Sequence, residues 1–310
     1  MKKKIVILGA FILGVFISTY IKSLDPNRVY ITLGKTESIE SEVENTKKEI
    51  KNLKNDGINP TLCVIEVGDD PASKIYLRVK RNLAKKVGIN EVGLHFPADT
   101  SQAELLGKIK ELNQDPNING IMVQLPVPPQ INPRAIFETI APEKDADGFS
   151  PLNLGRLWEG QSDIIPATVR SILTLIDYYG INMAGKNTVI IGRSVIVGKP
   201  LAAVLLERDA TVTIAHSKTK NLADLTRNAD VIISDVGKAH LVTEDMVKDG
   251  AVLIDVGMNR ENGKLMGDVD FDTVAPKAEA ITPVPGGVGP LTVASLMKQA
   301  VILTRKQHGR

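Results

Sequence analysis

From about residue 60 onward the chain alternates short, unbroken apolar blocks with longer stretches whose apolar positions fall three and four residues apart. The block Thr61–Val67 and the blocks at 91–96 and 120–124 read as strands, and residues 72–87 and 101–113 between them read as helices. Ahead of them, residues 36–55 set Ile39, Val43, Ile50 and Leu53 on one helical face among Glu and Lys, which predicts an amphipathic helix ending near Gly57. The alternation then returns: a helix over 169–179, a strand at 188–191, a helix from about Lys199, a strand at 211–215, a helix near 221–227, and strands at 230–234 and 251–256. Such an order predicts parallel pairing in two α/β units. Residues 145–161, rich in Gly, Asp and Pro, are the expected hinge, and a last helix over 292–306 is expected to return to the first unit.

The N-terminus breaks the pattern. Three lysines precede residues 5–21, 17 uncharged positions that reach the lower limit of a membrane span. They resemble a signal anchor, and the alternatives are a packed helix or a start assigned too far upstream. Composition is otherwise that of an ordinary globular chain, 43% hydrophobic and 24% charged over 310 residues. A net charge of +2, with the basic residues scattered, argues against nucleic acid as a partner. The single cysteine, Cys63, lies inside an apolar strand and is expected to be buried and inert. Four histidines without ligand spacing predict no metal site.

Two stretches carry candidate chemistry. Asp70 followed by Pro71 after Gly68 marks a helix start, and the helix it opens sets Tyr76 and Lys80 one turn apart. Ile75, Val79, Leu83 and Val87 recur every four residues and mark its expected core face, with Lys74, Arg78 and Arg81 opposite. A lysine at the edge of an apolar face has its pKa drawn down by desolvation, which suits it to acid/base work; the alternative is a snorkelling side chain. The second stretch is Gly192-Arg193-Ser194 with Gly198, between a strand and a helix, where bare backbone suits a pyrophosphate; a structural turn is the alternative. The next strand ends at His216-Ser217-Lys218 without the acid of an NAD site, and Arg193 with Ser217 or Lys218 offers donors to a 2′-phosphate, which favours NADP.

Taken in order, Gly68-Asp69-Asp70-Pro71-Ala72-Ser73, Tyr76 with Lys80, Val123-Gln124-Leu125-Pro126, Lys144-Asp145-Ala146-Asp147-Gly148, Gly192-Arg193-Ser194 and the 283–290 glycine run resemble the bifunctional methylenetetrahydrofolate dehydrogenase/methenyltetrahydrofolate cyclohydrolase family across residues 31–305. The resemblance implies two α/β domains around a cleft, the second a Rossmann-like NADP-binding domain with a parallel sheet. The division it implies is 1–27 as a hydrophobic N-terminal segment and linker, 28–150 plus 291–310 as the folate domain, and 151–290 as the NADP domain. It implies a cytoplasmic homodimer acting on tetrahydrofolate derivatives, with membrane association through residues 5–21 left open. Lys80 is then the acid/base, Gln124 its orienting partner, Tyr76 a stacking surface and Asp147 the pterin anchor. Val123, Leu125, Pro285, Gly286, Gly287, Val288 and Gly289 line the folate site, and Gly192, Arg193, Ser194, Ser217 and Met258 hold NADP.

The chain departs from the family pattern at Ala167, Val169 and Ser171, where Thr168 is still expected to cap the following helix, at Leu33 before Gly34-Lys35, and at Asp235, a position usually small and apolar. The departures at Ala167, Val169 and Asp235 leave open a cyclohydrolase with weak or absent dehydrogenase activity, and the apolar N-terminus alone leaves open a non-catalytic membrane-tethered folate-binding protein.

Overall fold

The computed structural model describes residues 31–34, 36–261 and 263–310, so residues 5–21 and the membrane association expected of them lie outside the described residues. β1 (Ile31–Thr32) leads into α1 (Thr36–Asn55); β2 (Thr61–Val67), α2 (Pro71–Val87), β3 (Asn90–Phe96), α3 (Gln102–Gln114), β4 (Gly120–Val123) and α4 (Pro133–Thr139) follow. A 3-10 turn at Pro142–Lys144, α5 (Pro151–Trp158) and α6 (Ala167–Tyr178) carry the chain onward. Then come β5 (Asn187–Ile191), α7 (Gly198–Leu206), β6 (Thr211–Ala215), α8 (Leu222–Thr226), β7 (Val231–Ser234), β8 (Val252–Asp255), the β9 (Asn259–Glu261) and β10 (Lys264–Met266) hairpin, α9 (Phe271–Val274), β11 (Ala280–Ile281) and α10 (Val288–Gln307).

Two parallel sheets result, a three-stranded one in the order β3-β2-β4 and a six-stranded one in the order β1-β11-β8-β7-β5-β6. Both are covered on both faces, which is why their central strands are apolar throughout rather than alternating. In the first sheet Leu62, Val64 and Met122 pack against α1, α2 and α10, while Cys63, Ile65 and Ile121 pack against α3 and α4. In the second, Ile190, Ile233 and Ile254 face α6 and α7, and Val189, Ile232 and Leu253 face the opposite side. β1 pairs with β11 of the second sheet, although the sequence division grouped residues 28–150 with the first unit.

α6 and α10 join the units. Ala167 packs in the core of the first unit and Val169–Ile176 in the second; α10 begins with Val288 and Leu291 in the second core and ends with Leu296–Leu303 in the first. Ser171 and Ser295 meet at 3.1 Å in the buried seam between these helices. The expected hinge at 145–161 is instead partly folded, since α5 occupies half of it and packs against α7. Thr168 does not cap α6: the helix begins at Ala167 after Pro166, so Thr168 already lies inside the first turn.

The face of α2 also differs from expectation. Ile75 and Val79 are 63% and 47% exposed, while Ser73, Leu77, Ala84 and Val87 are buried. At 100° per residue a strict four-residue spacing drifts about 40° at each step, so a run begun at Ile75 has turned about 120° by Val87. Only its C-terminal end reaches the core.

Candidate active site

α2 starts as its sequence directs. The Asp70 carboxylate accepts from Ser73 N at 2.7 Å, Pro71 occupies the first turn, and Gly88 closes the helix in the left-handed region at φ 93°. Lys80 projects from the middle of this helix toward the end of β4. Its Nζ donates to Gln124 Oε1 at 2.8 Å and lies 3.6 Å from Met122 Sδ; Gln124 is fixed in turn by donating from Nε2 to Leu125 O at 2.7 Å. Asp147 arrives on a turn that runs beside β4, where Ala146 N donates to Ile121 O at 3.1 Å. Asp145 ties that turn, accepting from Gly148 N, Ser150 N and the Asn153 amide.

Burial draws the Lys80 ammonium below its ordinary pKa, against the opposing pull of Asp147. Burial likewise pushes Asp147 up to about 7, with Lys80 pulling it down. Asp147 therefore has both protonation states accessible near neutral pH, and the neutral amine of Lys80 is favoured relative to a solvated lysine, as an acid/base site requires.

The second half of the site lies at the carboxyl ends of β5, β6 and β7. Gly192 has φ +134°, and a Cβ on it would stand 2.6 Å from Asp235 O; a Cβ on Gly198 would stand 2.3 Å from Gly192 O. Only glycine permits this closed loop, and it leaves the N-terminus of α7 bare, a cradle of the kind a pyrophosphate occupies. Ser194 Oγ accepts from Val197 N and Gly198 N, and Arg193 is exposed at the rim. Ser217 is exposed just past β6, in a turn held by His216 and Thr219. These residues fit a dinucleotide.

The two halves meet. Tyr76 OH donates to Met258 Sδ at 3.0 Å across the cleft, joining an expected folate residue to an expected cofactor residue. Pro285, Gly286 and Gly289 are exposed on the 283–290 loop, and a Cβ on Gly34 would stand 2.6 Å from Gly287 Cα, so the Leu33–Gly34 backbone supports that loop at contact distance. Val123 and Val288, expected to line the folate site, are each 3% exposed with side chains in the cores, because the apolar strand end and helix start that carry them pack inward. Leu125 is half-buried beside Gln124.

Sequence reasoning missed the posts that hold this end of the second sheet. Asp268, fully buried, accepts from Ser234 Oγ, Val236 N, Lys238 N and Asn259 Nδ2, and Asp255 accepts from Gly257 N, Asp268 N and Val269 N. Each aspartate approaches a glycine, Gly257 or Gly267, where a Cβ would overlap the carboxylate, a closeness that the order of residues alone does not reveal. Among the described residues no group of three or more His, Cys, Asp or Glu side chains is placed to hold a metal ion.

A glycine-lined crevice suited to a dinucleotide, facing a half-buried lysine, amide and carboxylate with both halves in contact, fits a two-domain nucleotide-dependent enzyme. Residues 34–147 match the catalytic domain, and residues 166–308 the NAD(P)-binding domain, of tetrahydrofolate dehydrogenase/cyclohydrolase. The chain belongs to this family. It is 96% identical over 277 residues to the bifunctional protein FolD of Lactobacillus gasseri, covering 89% of this chain and 98% of the relative. With the FolD methylenetetrahydrofolate dehydrogenase/cyclohydrolase structure from Campylobacter jejuni it shares 44% identity and a TM-score of 0.86, covering 88% and 97% of the two chains. A Trypanosoma brucei methylenetetrahydrofolate dehydrogenase-cyclohydrolase, solved with NADP and an inhibitor, shares 34% identity at a TM-score of 0.85 over 90% of this chain and 98% of that one.

Proposed function

We infer that this protein oxidises methylenetetrahydrofolate with NADP and hydrolyses the methenyl product to formyltetrahydrofolate, both in the cleft between its two units. Lys80, half-buried and bonded to Gln124 beside Asp147, is the observation that carries this reading. NADP, when bound, supplies the hydride acceptor for the first reaction. The chain's own residues place the substrate and manage protons and water. Lys80 takes a proton from the water that attacks the methenyl carbon and returns it to the ring nitrogen as the C–N bond opens, while the second water proton leaves to solvent as the formyl carbonyl forms; Gln124 holds the Lys80 amine in place. Tyr76 offers its ring to the folate, and Asp147 as carboxylate accepts from the pterin amino and ring N–H groups. The 285–289 loop borders the folate, and Gly192, Arg193, Ser194, Ser217 and Met258 border the cofactor.

Absorbance of methenyltetrahydrofolate tests the reading. NADP with methylenetetrahydrofolate is expected to raise it, and enzyme added to methenyltetrahydrofolate alone to abolish it. Failure of the first with success of the second leaves a cyclohydrolase; failure of both overturns the assignment. NADP is expected to give the higher kcat/KM, and an equal value with NAD would refute the reading of Arg193 and Ser217.

A homodimer is part of this reading. β3 has a free edge within the described sheet, and exposed Ile75 and Val79 lie on the adjacent α2, a combination that favours a second copy over solvent. The enzyme is placed in the cytoplasm, with fractionation of cells expressing the full chain as its test; recovery of the activity on the outer face of a membrane would overturn that placement.

A further inference from the structure

The six-stranded sheet changes direction between β5 and β7. The chain leaves β5 by α7 to reach β6 on one side, then returns past β5 to β7 on the other, and the crevice between the carboxyl ends of β5 and β7 is the switch point at which open α/β sheets take their ligands. Ile191 and Ser234 are register partners, so the residues that follow them, Gly192 and Asp235, face each other across this crevice. Asp235 N donates to Ile191 O at 2.8 Å and its carbonyl lies against Gly192.

Ser194 is committed in three directions. Its Oγ accepts from Val197 N at 2.9 Å and Gly198 N at 3.3 Å, and it donates to Asp235 Oδ2 at 3.2 Å. The fold thus brings a carboxylate of its own to the loop that opens α7, where a dinucleotide would bring its pyrophosphate. We propose that Asp235 is an affinity-setting residue of the dinucleotide site: its carboxylate competes with the cofactor's pyrophosphate for Ser194 and the adjoining loop, so that binding takes up a proton. This rests on the assignment of the 192–198 loop to NADP.

Burial pushes Asp235 up to about 6, with the Ser194 hydrogen bond opposing and Asp268 adding to the rise. The other ionisable side chains at this end of the sheet are Arg193 on the loop, Lys199 in the first turn of α7, Lys238 beyond β7, Asp255 at the end of β8 in register with Ser234, and His216 and Lys218 past β6. A folded pKa of about 6 makes the neutral form abundant below pH 6 and scarce above 7, so competition grows as pH rises through that interval.

Calorimetric titration of the full chain with NADP between pH 5.5 and 8 tests this, using the parent, Asp235→Asn and Arg193→Ala. The amide of Asp235→Asn can still accept from Ser194, so the loop keeps its tie without the charge. The 2′-phosphate of NADP also titrates in this range, and the comparison of parent with Asp235→Asn at each pH cancels its direct contribution. Near-equal affinities at pH 5.5 and about tenfold tighter binding by Asp235→Asn at pH 8 are expected, with more protons taken up on binding by the parent than by Asp235→Asn. Equal affinities throughout, or weaker binding by Asp235→Asn, would overturn the proposal. Arg193→Ala separates the two levels: unchanged NADP binding by it overturns the loop assignment itself, whereas weakened binding with no effect of Asp235→Asn overturns only the competition.

Discussion

At the scale of single residues, the cleft works by making charge costly. Lys80 sits between a thioether and an amide oxygen, neither of which holds an ammonium as a carboxylate would. Lys80→Met keeps the apolar body and removes the proton carrier, so hydrolysis of methenyltetrahydrofolate should fall by about two to four orders of magnitude while folate still binds; the decay of methenyl absorbance measures it. Asp147 makes a prediction in pH. Its pKa of about 7 stands well above the ordinary 3.8, so the carboxylate proposed to accept from the pterin becomes populated as pH rises. The folate KM should therefore fall about tenfold between pH 6 and 8, following the ionised fraction, and Asp147→Ala should raise KM more than it lowers kcat and abolish the trend. Steady-state kinetics across that range decide both. These residues were readable from sequence because Tyr76, Lys80, Gln124 and Asp147 sit in ordered motifs. Their pKa directions were not, since those depend on which side chains the fold buries beside them.

Individual elements show where local signals suffice. α2 was legible at both ends because Asp70, Pro71 and Gly88 act within one turn, yet its buried face was misjudged because a four-residue repeat and a 3.6-residue helix part company over three turns. α4, α5 and the β9–β10 hairpin were not foreseen: they are short, α4 and α5 pack on α3 and α7, and the hairpin is three residues a side with largely polar, exposed strands. Asp255 and Asp268 belong to the same class, their partners lying on several loops that only the fold assembles. Asp268→Ala leaves Val236 N, Lys238 N, Ser234 Oγ and Asn259 Nδ2 without their acceptor and should cost about 3–5 kcal/mol, read as a lowered urea midpoint. Gly198→Ala should open the β5–α7 loop, since its Cβ would stand 2.3 Å from Gly192 O, and weaken NADP binding by about one to two orders of magnitude in the same calorimetric assay.

For the molecule as a whole, the division into two α/β units and the return of the last helix were visible in the alternation of blocks, whereas the placement of β1 in the second sheet was not, because two residues carry no pattern of their own. Replacing Ile75 and Val79 together by lysine should leave each subunit folded but shift sedimentation toward the monomer, as both side chains are exposed within one chain. Deleting residues 1–24 should give a folded, active protein, because every proposed site residue and both family matches begin later; full activity of the purified truncation is the check. The path of α10 bears on synthesis as well as on shape. Residues 291–303 of this helix fill the interior of a unit whose sheet was translated some two hundred positions earlier, so that interior stays open until α10 has emerged from the ribosome. A ribosome stalled before α10 emerges would hold a catalytic half with its apolar inner face open to chaperones and proteases, while the central strands β5 to β8 of the nucleotide-binding half would already be free to pair.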